Sequence, residues 1–85
     1  MEETKTLTLL KPIKLGDQEV AEITLVEPTA GQIETALKEP SQTTANIVLI
    51  AAIAKIAPAA VRAMGLRDFN ACVTFLEGFT KAEEA

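Results

Sequence analysis

The residue types that carry most enzyme and metal chemistry are sparse in this chain. Histidine is absent, which removes the usual general base, the His-containing nucleophilic dyads and the commonest zinc ligand. Twelve Asp and Glu residues could supply acid–base groups, but their spacing does not pair them. Glu19 and Glu22 stand three apart in a stretch that reads as a strand, which puts them on opposite faces. Glu34 precedes Lys38 by four on a helical stretch, a surface pairing that adds about 0.2–0.5 kcal/mol to a helix. These carboxylates read as solvated surface. Cys72 lies inside an apolar helical stripe with no histidine or evident cation to activate it, so it reads as a core filler and not as a nucleophile. Gly31, Gly65 and Gly78 do not make a phosphate loop, and Gly16 is followed by Asp17, which would repel phosphate. The spacing offers no catalytic, cofactor-binding or metal-ligating residue, and no cofactor is expected.

Composition narrows the classes further. The chain has 85 residues, 8 Lys+Arg against 12 Asp+Glu, and a formal net charge of −4. That length gives one small domain, and a chain this short buries only about 60–65% of its unfolded surface, leaving a thin core that a partner can add to. The acidic balance argues against nucleic acid and anionic membranes as partners. Lys11, Lys14, Arg62 and Arg67 are scattered and not interleaved with aromatics, so no nucleic-acid groove is expected. The longest apolar run, Ile47 to Ala54, is eight residues, far short of the roughly twenty needed to span a bilayer. A single cysteine excludes an intramolecular disulfide. The opening residues lack the layout of a secretion signal, so a cytosolic protein is expected.

The elements that must position these residues fall into two parts. In Thr6-Leu7-Thr8-Leu9 apolar residues alternate with β-branched polar ones, the period of a half-buried strand, and the pattern runs loosely to Ile13. Pro12 lacks an amide hydrogen, so the strand is expected to end or lie at an edge there. Leu15-Gly16-Asp17-Gln18 signals a hairpin turn, with a second strand over Glu19 to Leu25. Thr29 and Gln32 have capping-box spacing for a first helix carrying the stripe Ile33, Ala36 and Leu37, and Pro40 closes it. A second helix is expected over Thr43 to Ala57, capped by Ser41 or Thr43. Pro58 predicts a kink or a short fresh helix through Met64, with Gly65 as its C-terminal cap. A last helix over Arg67 to Phe79 carries Phe69, Cys72, Val73, Leu76 and Phe79, with Phe75 at the flank. The expected class is therefore α+β: an N-terminal β-hairpin followed by a small bundle of three to four α-helices. As one domain over residues 1–85, it places the hairpin at about 5–26, the helical part at about 29–80 and a frayed acidic tail at 81–85.

The second helix is the informative one. Leu49, Ile50, Ile53 and Ile56 crowd one face, while Ile47, Val48, Ala51 and Ala54 spread over much of the remainder. A helix apolar nearly all round is normally buried, and a central core helix accounts for it. The sharper reading has one side covered by another chain, over Ile47, Val48, Ala51, Ala52 and Lys55, where small residues let a partner helix approach closely.

Several segments resemble the phage tail assembly chaperones of the Mu-like and related contractile-tailed phages. The resemblance rests on Lys11-Pro12-Ile13, on Leu15-Gly16-Asp17-Gln18-Glu19-Val20, and on Leu25-Val26-Glu27-Pro28-Thr29-Ala30-Gly31, which is similar to the family segment joining hairpin to helices. Leu66-Arg67-Asp68-Phe69 and the Phe-bearing last helix follow the same layout. The resemblance implies a non-enzymatic protein that binds the tape measure protein, keeps it soluble and assists tail tube assembly, with the tail tube protein as a further contact. It implies action in the host cytoplasm and absence from the mature virion. The rival reading is a structural tail or connector subunit retained in the virion. Self-association is compatible with so apolar a helix in so small a chain.

Overall fold

A computed structural model of the chain describes residues 4–84, with the side chains of residue 15 and of residues 79–84 outside the described set. The element order is β1 (Thr4–Leu15), β2 (Gln18–Val26), α1 (Ala30–Leu37), α2 (Gln42–Ala54), α3 (Pro58–Arg62) and α4 (Leu66–Glu84). This is the expected α+β architecture, an antiparallel two-stranded hairpin followed by four helices. Gly16 takes φ +60° at the hairpin turn, where a residue without Cβ avoids a steric penalty.

Pro12 does not end β1; it marks a bulge. Thr8 pairs with Glu22 and Ile13 with Val20, so Leu9 through Pro12 lie opposite Ala21 alone. Proline cannot donate to a ladder, and the surplus residues leave backbone amides of β1 unpaired by β2. The alternation slips opposite the bulge. Leu7, Leu9 and Ile13 on β1 and Val20, Ile23 and Leu25 on β2 are buried or half-buried. Glu19 and Glu22, expected on opposite faces, are therefore both exposed.

The helices cover one face of the hairpin. α2 packs on β2, α3 and α4 pack on β1, and α1 packs on α2. Leu25, Ile50 and Cys72 are fully enclosed between them. Local chemistry sets the helix ends. The capping box of α1 forms as spaced: Gln32 N–H donates to Thr29 Oγ1 at 3.1 Å, and Thr29 N–H donates to Gln32 Oε1 at 2.9 Å. Removing a cap of this kind costs about 1 kcal/mol. Leu37, expected in the α1 stripe beside Ile33 and Ala36, is instead 69% exposed.

Of the two cap candidates for α2, Ser41 serves, its Oγ accepting from Thr44 N–H at 3.0 Å. The helix stops at Ala54, three residues before the expected Ala57, because Lys55 turns left-handed at φ 60°, ψ 44°. Ile56 N–H then reaches back to the Ala51 carbonyl at 3.1 Å, the long-range bond of a Schellman closure. Ala57 is extended ahead of Pro58, whose ring disfavours helical geometry in the preceding residue. A side chain at Lys55 carries left-handed strain of about 1–2 kcal/mol. Lys55→Gly is therefore expected to raise the unfolding free energy by about 0.5–1 kcal/mol after the added entropy of the unfolded chain is subtracted. Urea denaturation of both proteins measures it.

Pro58 does open a short separate helix, but Gly65 is not its cap. α3 ends with Ala63 in right-handed geometry. Gly65 instead begins α4, its carbonyl accepting from Phe69 N–H at 2.9 Å. α4 continues through Glu84, past the expected Phe79, over Lys, Glu and Ala, which favour helix, and Thr80, with no breaker. The expected core role of the Phe79 side chain lies outside the described residues.

Candidate functional site

The buried stripe of α4 begins with a charge. Asp68, Cys72 and Leu76 stand at i, i+4 and i+8 and are all enclosed, Asp68 at 3% exposure. The Asp68 carboxylate accepts from both amides freed by the bulge, Leu10 N–H to Oδ1 at 2.9 Å and Lys11 N–H to Oδ2 at 3.1 Å. Its place in the first turn of α4 also sets a negative charge against the positive end of the helix dipole. Most carboxylates of this chain read as solvated surface from sequence, and Asp68 is not one of them. It is a structural clamp between the hairpin and the last helix. Among the described residues, no buried polar side-chain atom lacks a hydrogen-bond partner.

One turn further on, Cys72 has no exposed surface. Burial, reinforced by the neighbouring Asp68 charge and partly opposed by Lys5, pushes its thiol from 9.0 up to about 11. It is the core filler expected from its place in the stripe. Between pH 9 and pH 11 the native state keeps a proton that the unfolded chain gives up. Stability is then constant with respect to this group below pH 9 and falls as the pH rises towards 11, by on the order of 2 kcal/mol. Chemical denaturation at pH 7 and pH 10.5 is expected to show that loss in the wild type, and a smaller one in Cys72→Val.

α2 is enclosed on most sides, as befits a core helix. Of the expected partner-binding set, Ala51 is 5% exposed and belongs to the chain's own core. Ile47 and Val48 are half-buried, and only Ala52 and Lys55 are exposed. Val48, Ala52 and Lys55 stand at i, i+4 and i+7, so the accessible part of the set is one stripe of α2.

Among the described residues, two apolar grooves flank α2, and Leu10 of β1 is exposed apart from them. The larger, about 370 Å³, runs between α1, α2 and α4. Its walls are Pro28, Ile33, Ala36 and Leu37 from α1 and its approach, Gln42, Ala45, Asn46 and Leu49 from α2, and Val73, Leu76 and Glu77 from α4. The smaller, about 210 Å³, is bounded by Thr43 and Ile47 of α2, by Val61, Arg62 and Met64, and by Leu66 and Phe69 at the start of α4. Each groove has one strongly exposed leucine, Leu37 at 69% in the first and Leu66 at 72% in the second. Leu37 is the last residue of the expected α1 stripe, and Leu66 carries no packing expectation; the signal in the sequence is only that each is a large apolar residue at a helix end.

The arrangement is suited to binding apolar helix faces. Among the described residues, no three His, Cys, Asp or Glu side chains are placed to share a metal ion, and no helix is long and apolar enough to cross a membrane. No curated protein and no solved structure gives a significant match to the chain. The family model described as phage tail assembly chaperone proteins, E, or 41 or 14, matches residues 6–81, from the third residue of β1 nearly to the end of α4. With nearly all of the hairpin and helices and both grooves inside that span, the chain belongs to the phage tail assembly chaperone family.

Proposed function

We propose that this chaperone binds the tape measure protein through the groove between α1, α2 and α4, and keeps it soluble while the tail tube is built. The observation that carries the site is the pairing of an apolar groove of about 370 Å³ with Leu37 standing free on its edge. A long helical partner with apolar stripes would otherwise aggregate, and an apolar groove between helices is suited to receive such a stripe. Ala52 lies one turn beyond Leu49 on the same side of α2 and is exposed, so the wall continues past the groove towards Lys55. The net charge of −4 favours solubility of the complex. In this reading the protein works without catalysis in the host cytoplasm and leaves before the particle is complete.

Co-expression of the full chain with a fragment of the tape measure protein from the same genome tests the proposal. The soluble share of the fragment is expected to rise with wild type and to fall back by most of that gain with Leu37→Glu. Because Leu37 is exposed, the thermal midpoint of that variant is expected to stay near wild type. No gain in fragment solubility with the wild-type chain overturns the function. A full gain with Leu37→Glu overturns the site.

A further inference from the structure

The junction where the β1 bulge meets α3 and the start of α4 is basic, in a chain that is acidic overall. Arg62 is the only charged residue lining the groove of about 210 Å³ there, and Arg67 is exposed next to Leu66. The Lys11 stem runs so close to Gly65 that a Cβ there would meet its Cβ and Cδ at 3.6 and 3.7 Å, which brings a third exposed cation to the junction. The carboxylate of the first α4 turn, Asp68, does not stand on this surface. It is enclosed and committed to the Leu10 and Lys11 amides. Leu10 at 73% and Leu66 at 72% are both exposed at the same junction. We propose that this surface is a second docking site, which takes an acidic amphipathic helix of a protein other than this chain. The apolar stripe of that helix lies over Leu66 and the groove, and its flanking carboxylates face Arg62, Arg67 and Lys11.

The form of the occupant follows from the walls. They are side chains of α2, α3, α4 and the turn between the last two, with no strand edge among them, so the groove suits a helix better than an extended segment. Charge sets its sign, because three cations with no exposed acid in the groove lining favour a negative partner and disfavour a basic one. The α1–α2–α4 groove differs on this point, since its only charged lining residue is Glu77. The site is also held in shape before anything binds: the Asp68 clamp fixes the backbone that carries Leu10 and Lys11, which lowers the ordering cost of docking. On α2, groove positions 42, 45, 46 and 49 and groove positions 43 and 47 are centred about 130° apart, at about 100° per residue. A helix seated in one groove therefore leaves the other open, and the chain can hold two proteins at once.

Two synthetic helical peptides with one shared leucine stripe, flanked by Glu in the first and by Lys in the second, test the proposal by fluorescence anisotropy against the full chain. The Glu-flanked peptide is expected to bind about tenfold tighter at low salt, with the margin shrinking at about 0.5 M salt. A net charge of −4 by itself predicts the reverse order, so the order is diagnostic. Arg62→Glu combined with Arg67→Glu is expected to invert the preference. Leu66→Glu is expected to abolish binding of the Glu-flanked peptide, and Leu37→Glu to leave it intact. All four positions are exposed, so unchanged circular dichroism spectra are expected. Equal binding of the two peptides, or tighter binding of the Lys-flanked one, overturns the proposal. So does loss of binding in Leu37→Glu, or its survival in Leu66→Glu. Displacement of the peptide by an equal concentration of a single-stranded oligonucleotide also overturns it, because the surface would then be a general polyanion site. None of these measurements involves the tape measure protein.

Discussion

Asp68→Ala is expected to lower the unfolding free energy by about 3 kcal/mol, because it strips the acceptor from two backbone amides at once. Leu10 N–H and Lys11 N–H have no place in the β1–β2 ladder, and the carboxylate is their partner at 2.9 and 3.1 Å. A hydrogen bond to a charged group contributes about 1.5–3 kcal/mol, and partial access of water to the bulge keeps the sum towards the lower end. For a domain of this size the thermal midpoint falls by roughly 12–24 °C. Asp68→Asn is expected to recover only part of the loss, about 1 kcal/mol, since its carboxamide accepts through one oxygen and turns a donor towards the second amide. Removing the charge also removes one of the influences that raise the Cys72 thiol, so its pKa moves down in both variants. Guanidinium denaturation at neutral pH and alkaline thiol titration provide the two measurements. A stability change below about 1 kcal/mol for Asp68→Ala would show that water satisfies the bulge and that the clamp is dispensable.

The second large effect belongs to Ile50. Its side chain has no exposed surface, and α2, which carries it, packs on β2, α1 and α3. Ile50→Ala is expected to cost about 3–4 kcal/mol, the transfer of the lost methyl groups plus the cavity they leave. Leu37→Ala removes a comparable apolar volume from an exposed position and is expected to change stability by less than about 0.5 kcal/mol. Urea melts of the two variants side by side check the contrast. Equal losses would mean that Leu37 is packed and the groove beside it is closed.

The hairpin and the start of α1 were legible because their causes are local. Alternation, a Gly-Asp turn and the Thr29–Gln32 spacing each act over a few residues, and the structure forms all three. The bulge was half legible: Pro12 announces trouble in the ladder, but the group that resolves it lies 57 residues away. Asp68 itself has no packing expectation from its immediate neighbours. The available signal was its spacing of four from Cys72 and eight from Leu76, which puts a carboxylate in line with a buried stripe. Lys55 was opaque for a different reason. Nothing in a lysine marks a left-handed residue, and Pro58 drew the expected helix end past the place where the chain reverses. The exposure of the α2 side chains was hard to read because the helix is apolar nearly all round. Its own pattern does not tell which sides α1, α3 and β2 will cover, so Ala51 looked available and Leu37 looked buried.

The link between Asp68 and the bulge also constrains how the protein is made. The ribosome delivers the hairpin first, and a lone two-stranded ribbon is barely stable in water. Its kinked strand has no partner for two amides until the first turn of α4 has been synthesised, so the nascent N-terminal half waits, unfinished, for the C-terminal helix. A polypeptide truncated before residue 66 would lack the piece that locks it, so the hairpin is expected to complete its hydrogen bonding only after the first turn of α4 has been made.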